Sequence, residues 1–324
     1  MKIEKKISFI IPVFNGEKTI GHCLDSILEV KTEDIEIIVI DDGSRDSTYR
    51  ILKDYASRNS IIKLFTQKNQ GVSSARNAGL AVASGRYVSF VDCDDEVIGE
   101  RIVEILKSIR NMKCEFICFD YYVCDGKEKK LNERQYLRPG LNSVKTIYQE
   151  ILSGKFNNLW CNLYARDAIT INKVRFKSEI KMGEDAIFNI EFLKNIRNCY
   201  YYKYPLYIYN NNSSGSAMHQ YRIEYLKDYT VLFDYYKLIH EILPEAQLDL
   251  GAKHYLNKMF GCLFYTNDNI DETQYLDLVH SWFYKIVMEY PYYDVKNIFK
   301  KKFIEREYFK KKLFKTLIRV MIKE

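Results

Sequence analysis

The sequence of 324 residues lacks several patterns that would assign it to a familiar class of protein. Its eight cysteines are scattered, without a C-x-x-C pair or a matched histidine spacing that would build a zinc site. No run approaches the ~20 apolar residues that cross a bilayer, and the first apolar run ends at Pro12, too early for a signal peptide. Repeats and low-complexity tracts are absent. We therefore expect a soluble protein of the reducing cytoplasm, with Cys114 and Cys118 as buried structural residues.

Basic residues are concentrated towards the C-terminal end, although the net charge of +6 is mild. From residue 296 onward lysines and arginines outnumber glutamates and alternate with apolar residues, which predicts a basic amphipathic helix or pair of helices. Such a segment either docks on the protein with a solvated basic face or associates with an anionic membrane surface. No nucleic-acid recognition motif accompanies these charges, so nucleic acid is not expected as a partner.

Strand-like apolar runs alternate with helical patterns in the first half, which predicts an α/β fold with a mostly parallel sheet flanked by helices. Small residues between 75 and 82 predict a helix that packs close to this sheet. Residues 126–140 are polar and predict a connection, and from about residue 221 the pattern is helical. The predicted strands cover residues 7–11, 35–40, 61–65, 87–91, 116–123 and 199–209.

Polar clusters follow three of these strands, at the edge where parallel sheets bind ligands. The first cluster contains Pro12, Phe14 and Asn15, the second spans residues 41–48, and the third spans residues 92–95. One such cluster would mean little, but three at one edge predict a binding site.

The third cluster, Asp92-Cys93-Asp94-Asp95, places three carboxylates in four residues. Like charges this close repel one another unless a cation compensates them. Mg²⁺ and Mn²⁺ bind one or two carboxylates together with phosphate oxygens and water, so the run predicts a metal site. The alternative is that Asp94 and Asp95 cap a helix that begins near Glu96.

Two more segments suit a nucleotide. In residues 41–44 a carboxylate could bind a base or ribose while Gly43 keeps the turn open, although helix capping explains the same residues. Residues 69–79 open a helix whose N-terminus favours anions, and Arg76 could reach a diphosphate. The alternative for this segment is that its small residues only allow close packing.

In order and spacing, these motifs resemble the signatures of family 2 glycosyltransferases with the GT-A fold. The resemblance covers roughly residues 7–216 and fades beyond them. Phe14 stands where a tyrosine is commoner in the family, which keeps ring stacking on a base but removes a hydroxyl. The motifs are Pro12-Val13-Phe14-Asn15, Asp41-Asp42-Gly43-Ser44 with Asp46 and Thr48, Asn69-x-Gly71 with Ala75-Arg76-Asn77, Asp92-x-Asp94-Asp95, Trp160 to Tyr164, Gly183-Glu184-Asp185 and Ser214-Gly215-Ser216.

The resemblance implies an inverting, metal-dependent transfer of a sugar from a nucleotide-diphosphate donor, with UDP as the expected nucleotide and Mn²⁺ or Mg²⁺ as the cofactor. Asp42 would contact the nucleoside, Asp92 the ribose or the metal, and Asp94 the metal. Asp185 would be the catalytic base that takes the proton of the acceptor hydroxyl. The other donor-binding residues would be Pro12, Phe14, Asn15, Asn69 and Arg76.

Alternatives remain for the candidates in the second half. Glu184 is predicted to bind the acceptor and Asp185 to be the base, but both would also suit the first turn of a helix that follows them. Trp160 and Tyr164 would form a platform for the acceptor sugar or belong to the core. His219 is a further candidate metal ligand, or a structural or exposed histidine.

The resemblance also suggests how the chain is divided and used. Residues 1–216 would be the catalytic domain, with a nucleotide-sugar half to about residue 125 and an acceptor half after it, and residues 217–324 a helical, basic region. The acceptor would be a glycan or a lipid-linked oligosaccharide in polysaccharide biosynthesis, reached from the inner face of the membrane. The alternatives are a nucleotidylyltransferase, for which a Gly-rich loop with a following lysine is missing after the first strand, and a non-catalytic nucleotide-sugar-binding module.

Overall fold

The computed structural model describes residues 5–211, 222, 224–243, 258 and 262. The strands are β1 (Ile7–Val13), β2 (Ile35–Asp41), β3 (Ile62–Thr66), β4 (Tyr87–Phe90), β5 (Glu96–Val97), β6 (Phe116–Cys124), β7 (Lys129–Asn132), β8 (Gly140–Ser143), β9 (Asn162–Ala165) and β10 (Asn198–Asn210). The helices are α1 (Ile20–Leu28), α2 (Thr48–Arg58), α3 (Val72–Val82), α4 (Gly99–Ser108), α5 (Val144–Leu152), α6 (Arg166–Ile171), α7 (Glu184–Leu193) and α8 (Tyr225–Ile242).

The strands form one sheet in the order β3-β2-β1-β4-β9-β6-β10-β5, with β7 beside β6 and β8 beside β10. The first four strands of this order are parallel, and β9 is antiparallel to both of its neighbours. β6 and β10 therefore point the same way as β1, so the carboxyl ends of β1, β2, β4, β6 and β10 meet at one edge. The chain crosses from β3 to the far side of β1, which puts the topological switch point between β1 and β4. The predicted α/β fold is confirmed.

The central strands are mostly apolar because both of their faces are covered. Every residue of β1 and β2 is buried. Phe9 and Ile11 join the core that includes α1, whereas Ile10 faces α3. A Cβ atom added at Gly79 of α3 would collide with Cγ2 of Ile10. The prediction of a small-residue helix close to the sheet is therefore confirmed.

Two predictions of local structure are wrong. Residues 126–140 are more than a connection, because they contain β7, which pairs with the end of β6, and the first residue of β8. All four residues of β7 are exposed, so no alternation of apolar and polar residues marks this strand. The helix expected near Glu96 is also absent from its predicted place: residues 96–97 are β5, and α4 begins at Gly99.

The helical pattern predicted after residue 221 is confirmed for α8, which packs against α7 and buries Leu226, Tyr229, Leu232 and Tyr236. The chain divides into two compact units, Met1–Thr266 and Asn267–Glu324. His219, residues 214–216 and the basic segment from residue 296 lie outside the described residues, and the predicted boundary near residue 216 stays a prediction. Within the described ranges, no helix is long and apolar enough to cross a membrane.

A buried glutamate links neighbouring segments near the amino ends of the parallel strands, at the edge opposite the polar clusters. Glu36 of β2 is fully buried, and its carboxylate accepts hydrogen bonds from the hydroxyls of Ser8 and Ser84, the backbone N–H of Ser84 and the ammonium of Lys63. Burial alone would raise the pKa of Glu36, but the donors outweigh it and lower that pKa to about 2.

We expect Glu36→Gln to lower the free energy of unfolding by about 3 kcal/mol at pH 7, the equivalent of the lowered pKa. Because the folded pKa lies below the unfolded one, this contribution is complete above about pH 5 and disappears as the pH falls towards 2. Urea unfolding at several pH values measures the difference. Glu33→Gln, at an exposed glutamate, is the control, and a deficit that persisted unchanged at pH 2 would contradict this origin.

Candidate active site

Arg76 lies among three carboxylates that come from distant parts of the chain. Its Nη1 donates to Asp185 Oδ1 at 2.7 Å and lies 3.5 Å from Glu184 Oε1, and its Nη2 donates to Asp92 Oδ1 at 3.1 Å. Arg76 is 4% exposed and comes from α3, whereas Glu184 and Asp185 form the first turn of α7. We call these four residues the Arg76 cluster. It unites the predicted diphosphate residue, the start of the acidic run and the predicted base.

The Arg76 cluster holds one cation for three carboxylates. Burial raises the pKa of Asp185 well above its ordinary value; the charge of Arg76 opposes this rise, and Glu184 and Asp92 add to it. Burial likewise raises the pKa of Glu184. A carboxylate with a raised pKa is a stronger base, which suits the removal of a proton from a hydroxyl.

Two buried polar atoms on α3 have no hydrogen-bond partner among the described residues. They are Nε of Arg76 and Oγ of Ser73, which lies one turn earlier on the helix. Buried polar groups are nearly always paired, so these atoms suit a polar ligand. Ser73 was missing from the predicted site. The signal that could have found it is its spacing of three residues from Arg76, which puts both side chains on one face of the helix.

The acidic run has two parts with different environments. Asp95 is buried, and its carboxylate accepts from the hydroxyl of Tyr207 at 2.7 Å and the backbone N–H of Asn210 at 2.8 Å. Burial raises the pKa of Asp95 to about 8. This carboxylate therefore anchors the run to β10, and the alternative that it caps a helix is wrong.

Asp92 and Asp94 are partly exposed, and their carboxylates are oxygen donors of the kind that suits a divalent cation. Asp92 uses Oδ1 for Arg76, which leaves Oδ2 for another ligand. Within the described residues, no cluster of three or more His, Cys, Asp or Glu side chains could hold a metal by itself. Two carboxylates fit Mg²⁺ or Mn²⁺ when phosphate oxygens complete the coordination. The predicted ligand His219 lies outside the described residues.

Asp42 is buried at the end of β2, where its carboxylate organises a loop. Oδ1 accepts from the side chain of Gln67 at 2.7 Å and the backbone N–H of Gln70 at 2.9 Å, and Oδ2 accepts from the backbone N–H of Gly71 at 2.8 Å. These bonds fix residues 67–71, which precede α3. A carboxylate oxygen has two lone pairs, so Oδ2 can still accept one bond from a ligand.

The loops after β1 and β2 are tied together by the short polar residues of their motifs. Asn15 accepts from the backbone N–H of Arg45 at 2.8 Å, and its own N–H donates to the hydroxyl of Ser44 at 2.9 Å. Asn15 has a φ of 53°, which asparagine tolerates better than most residues. Asp46 accepts from the backbone N–H of Thr48 at the start of α2, so the capping alternative holds for this residue.

The other predicted donor-binding residues differ in exposure. Phe14 lies in the loop after β1 and Asn69 in the loop after β3. Both side chains are exposed and could contact a nucleotide. Pro12, in contrast, is buried within β1, in register with Ile40.

Of the two aromatic candidates for an acceptor platform, only one is accessible. Tyr164 is fully buried and its hydroxyl donates to Asn189 at 2.7 Å, so the platform interpretation is wrong for Tyr164. Trp160 is partly buried and stacks on Tyr207 and Tyr209 with ring centroids 4.9 and 5.3 Å away. Since the hydroxyl of Tyr207 contacts the acidic run, Trp160 lies beside the candidate site.

One supporting residue could not have been predicted from the motifs. Asp228 of α8 is buried, and its Oδ2 accepts from the backbone N–H groups of Lys181 at 2.9 Å and Met182 at 3.1 Å. The next residue, Gly183, has a φ of 88°, and an added Cβ would lie 2.8 Å from Leu232 of α8. α8 therefore fixes the turn that immediately precedes Glu184 and Asp185.

The sequence profile described as Glycosyl transferase family 2 matches residues 8–178. The uncharacterized glycosyltransferase EpsJ of Bacillus subtilis is 28% identical over 218 residues, which cover 64% of this chain and 62% of that protein. The poly(ribitol-phosphate) beta-N-acetylglucosaminyltransferase TarP of Staphylococcus aureus is 31% identical over 219 residues, or 65% of each chain. The chain thus matches less than two thirds of the length of these relatives.

A similar structure has also been solved. The crystal structure of S. aureus TarS 1-349 in complex with UDP-GlcNAc is 21% identical in sequence and has a TM-score of 0.66, with 86% of this chain and 81% of that chain covered. At this identity the likeness concerns the fold alone, and it confirms the predicted GT-A architecture.

Proposed function

This chain belongs to glycosyl transferase family 2, and we propose that it transfers a sugar from a nucleotide-diphosphate donor, with UDP as the nucleotide, to a hydroxyl of a glycan or lipid-linked acceptor. The observation that carries this proposal is the Arg76 cluster. A single buried guanidinium links Asp92, at the place expected for the leaving group, to Asp185, at the place expected for the attacking hydroxyl.

In the proposed reaction Asp185 takes the proton of the acceptor hydroxyl as its oxygen attacks the anomeric carbon. Attack from the side opposite the diphosphate inverts the anomeric configuration. Arg76 holds Asp185 in place. The Nε of Arg76 and the hydroxyl of Ser73, which have no partner among the described residues, donate hydrogen bonds to the nucleotide sugar. Asp92 and Asp94 would hold Mn²⁺ or Mg²⁺, which stabilises the charge of the departing diphosphate when bound.

The donor half has features that suit a nucleotide. The edge at the switch point between β1 and β4 is where open α/β sheets bind such ligands, and Phe14 offers an exposed ring for stacking on a base. The complex of TarS with UDP-GlcNAc supports UDP as the nucleotide.

The proposal is tested by incubating the full chain with a panel of nucleotide sugars and measuring the release of the nucleoside diphosphate. We expect release from a UDP-sugar that requires Mn²⁺ or Mg²⁺ and increases with a suitable acceptor. Release of pyrophosphate would instead indicate a nucleotidylyltransferase. Binding of UDP-sugars by calorimetry without turnover on a broad acceptor panel would indicate a non-catalytic module.

We expect Asp228→Ala to lower the turnover number about tenfold, because the turn before Asp185 loses the acceptor of two backbone hydrogen bonds. The Kd of UDP, which binds in the other half, should stay unchanged. Lys227→Ala, at the exposed neighbouring residue of α8, is the control. Equal loss of UDP affinity and turnover would indicate general unfolding and contradict a positioning role.

The membrane association of the basic segment from residue 296 stays part of the proposal. It would bring the enzyme to a lipid-linked acceptor at an anionic surface. A liposome-flotation assay with and without residues 296–324 tests it.

A further inference from the structure

A pocket of about 540 Å³ opens beside β6 and β7, outside the site described above. Its walls include the rings of Tyr121 and Tyr136, and its charged lining residues are Glu133, Arg134 and Lys155. The volume is large enough for a sugar unit with an ionic substituent.

Arg134 is the unusual residue of this pocket, because it is only 2% exposed and forms no ion pair with any residue that the structure describes. Its Nε donates to the carbonyl of Phe119 at 2.7 Å, and its two Nη atoms donate to Tyr136 Oη at 3.2 Å and Asn162 Oδ1 at 3.3 Å. Its guanidinium also lies over the ring of Phe156. All these partners are neutral.

Within the described part of the chain, no carboxylate oxygen lies within 4 Å of the guanidinium of Arg134. The carboxylate of Asp120 accepts instead from the backbone N–H of Arg134 and from the hydroxyl of Tyr201. Buried charges are normally paired with an opposite charge. Three of the five donor hydrogens of the guanidinium are used by the three bonds above, which leaves donors for an anion.

The other charges of the pocket leave it positive. Lys155 lies at the rim, with a side chain 70% exposed, and is 3.8 Å from Glu150. The carboxylate of Glu133 forms an ion pair with the ammonium of Lys203, with Oε1 and Nζ 3.5 Å apart. The pocket therefore offers one buried and one exposed cation.

A row of aromatic rings connects the pocket to the candidate active site. Tyr121 lines the pocket and meets Trp160 edge-on at 4.7 Å, and Trp160 stacks on Tyr207 at 4.9 Å. The hydroxyl of Tyr207 in turn donates to Asp95 and accepts from the backbone N–H of Asp92. Tyr207 itself is buried, whereas Tyr121 and Trp160 are partly exposed. Aromatic faces suit the apolar faces of sugar rings, so a glycan could extend over Tyr121 and Trp160 between the pocket and the candidate site.

We propose that this pocket binds an anionic group of the acceptor, a phosphate or carboxylate carried by the glycan, while the reacting hydroxyl lies at Asp185. The inference rests on the proposed function and adds the chemical class of the acceptor to it. Arg134 supplies planar donors that match an oxyanion, and Lys155 adds a second charge at the entrance.

The test uses the full chain saturated with UDP and Mg²⁺, so that the donor site is occupied. The Kd values of glucose 6-phosphate, glucuronate and glucose are measured by ligand-observed NMR. We expect the two anionic sugars to bind and glucose to bind at least about tenfold more weakly, the difference that one charged hydrogen bond makes. The tighter of the two anions identifies phosphate or carboxylate as the preferred group.

The variant Lys155→Glu should raise the Kd of the anionic sugars about fivefold, since its side chain is exposed and folding is not at risk. Lys127→Glu, at an exposed lysine in the turn between β6 and β7 and outside the pocket, should leave this Kd unchanged. Arg134→Lys, checked by thermal unfolding, should raise it at least tenfold because the fork of donors is lost.

Equal affinity for glucose and its anionic counterparts, or identical Kd values for Lys155→Glu and Lys127→Glu, would show that Arg134 is only structural and overturn the inference. Release of UDP from a UDP-sugar without acceptor is measured with the same protein preparations in separate samples that contain no added UDP. If that release is normal while the anions fail to bind, the acceptor class is wrong and the proposed function stands. If the release itself is absent, the proposed function fails.

Discussion

Asp185→Asn is expected to lower turnover about 10³-fold while the protein stays folded. The substitution removes the proposed base, whose contribution to a proton transfer is of this size. The amide oxygen of asparagine can still accept the hydrogen bond that Nη1 of Arg76 donates to Asp185 at 2.7 Å, so this contact is kept in the variant. Turnover is measured as UDP release with acceptor, and folding by thermal unfolding.

A matched control is available for this substitution. Asp167 lies in the first turn of α6, as Asp185 does in α7, but its side chain is 81% exposed and forms an ion pair with the neighbouring Arg166. Asp167→Asn should leave turnover unchanged. Full activity of Asp185→Asn would remove Asp185 from the role of base.

The pH dependence of kcat/KM provides a second test of Asp185 as the base. Because burial raises the pKa of Asp185, the ionised base disappears at a higher pH than for an ordinary aspartate. The acid limb of kcat/KM should therefore lie well above pH 4, and it should be missing from the residual activity of Asp185→Asn.

Arg76→Met is expected to cause the largest loss of stability, about 3–5 kcal/mol at pH 7. The substitution leaves Asp92, Glu184 and Asp185 together without the cation that they share. Turnover should be lost as well, because Asp185 no longer has its anchor. The free energy of unfolding is measured in urea, and Arg58→Met, at an exposed arginine of α2, is the control.

The pH dependence separates this electrostatic cause from a loss of packing. Without Arg76 the folded-state pKa values of Glu184 and Asp185 rise further above their unfolded values, so the penalty exists at neutral pH and shrinks as these two carboxyls become protonated. The deficit of Arg76→Met should therefore be smaller at pH 5 than at pH 7. A deficit independent of pH would assign the loss to packing alone.

The sequence predicts the first half of the molecule well because its signals are local. β1 and β2 are buried on both faces, so apolar residues dominate each strand, and the polar residues that follow its carboxyl end stand out. Since parallel strands share a direction, the clusters at residues 12–15, 41–48 and 92–95 had to meet at one edge. The family resemblance then supplied roles for individual residues. The structure brings these residues together, and their roles stay predictions.

The rest could not be predicted because it depends on contacts between distant residues. Arg76 and Asp185 are 109 positions apart, and neither motif indicates that the arginine predicted to bind a diphosphate also binds the predicted base. Asp228 lies on a helix whose pattern shows only which face is apolar. In the sequence, Tyr164 and Trp160 are both aromatic residues of one motif, and nothing there distinguishes them. The structure does so, because Tyr164 is packed against Phe116, Phe188 and Phe192 in the core.

The anchor of Asp95 also has a consequence for the order in which the protein is made. Its partner Asn210 follows it by 115 residues, so the acidic run has no complete support until the ribosome has synthesised β10. At a rate of about 5–20 residues per second, that interval lasts roughly 6–23 s. During this time the nascent chain carries β1 to β4 and a carboxylate that still lacks its partners, so the candidate site is complete only after translation of the second half.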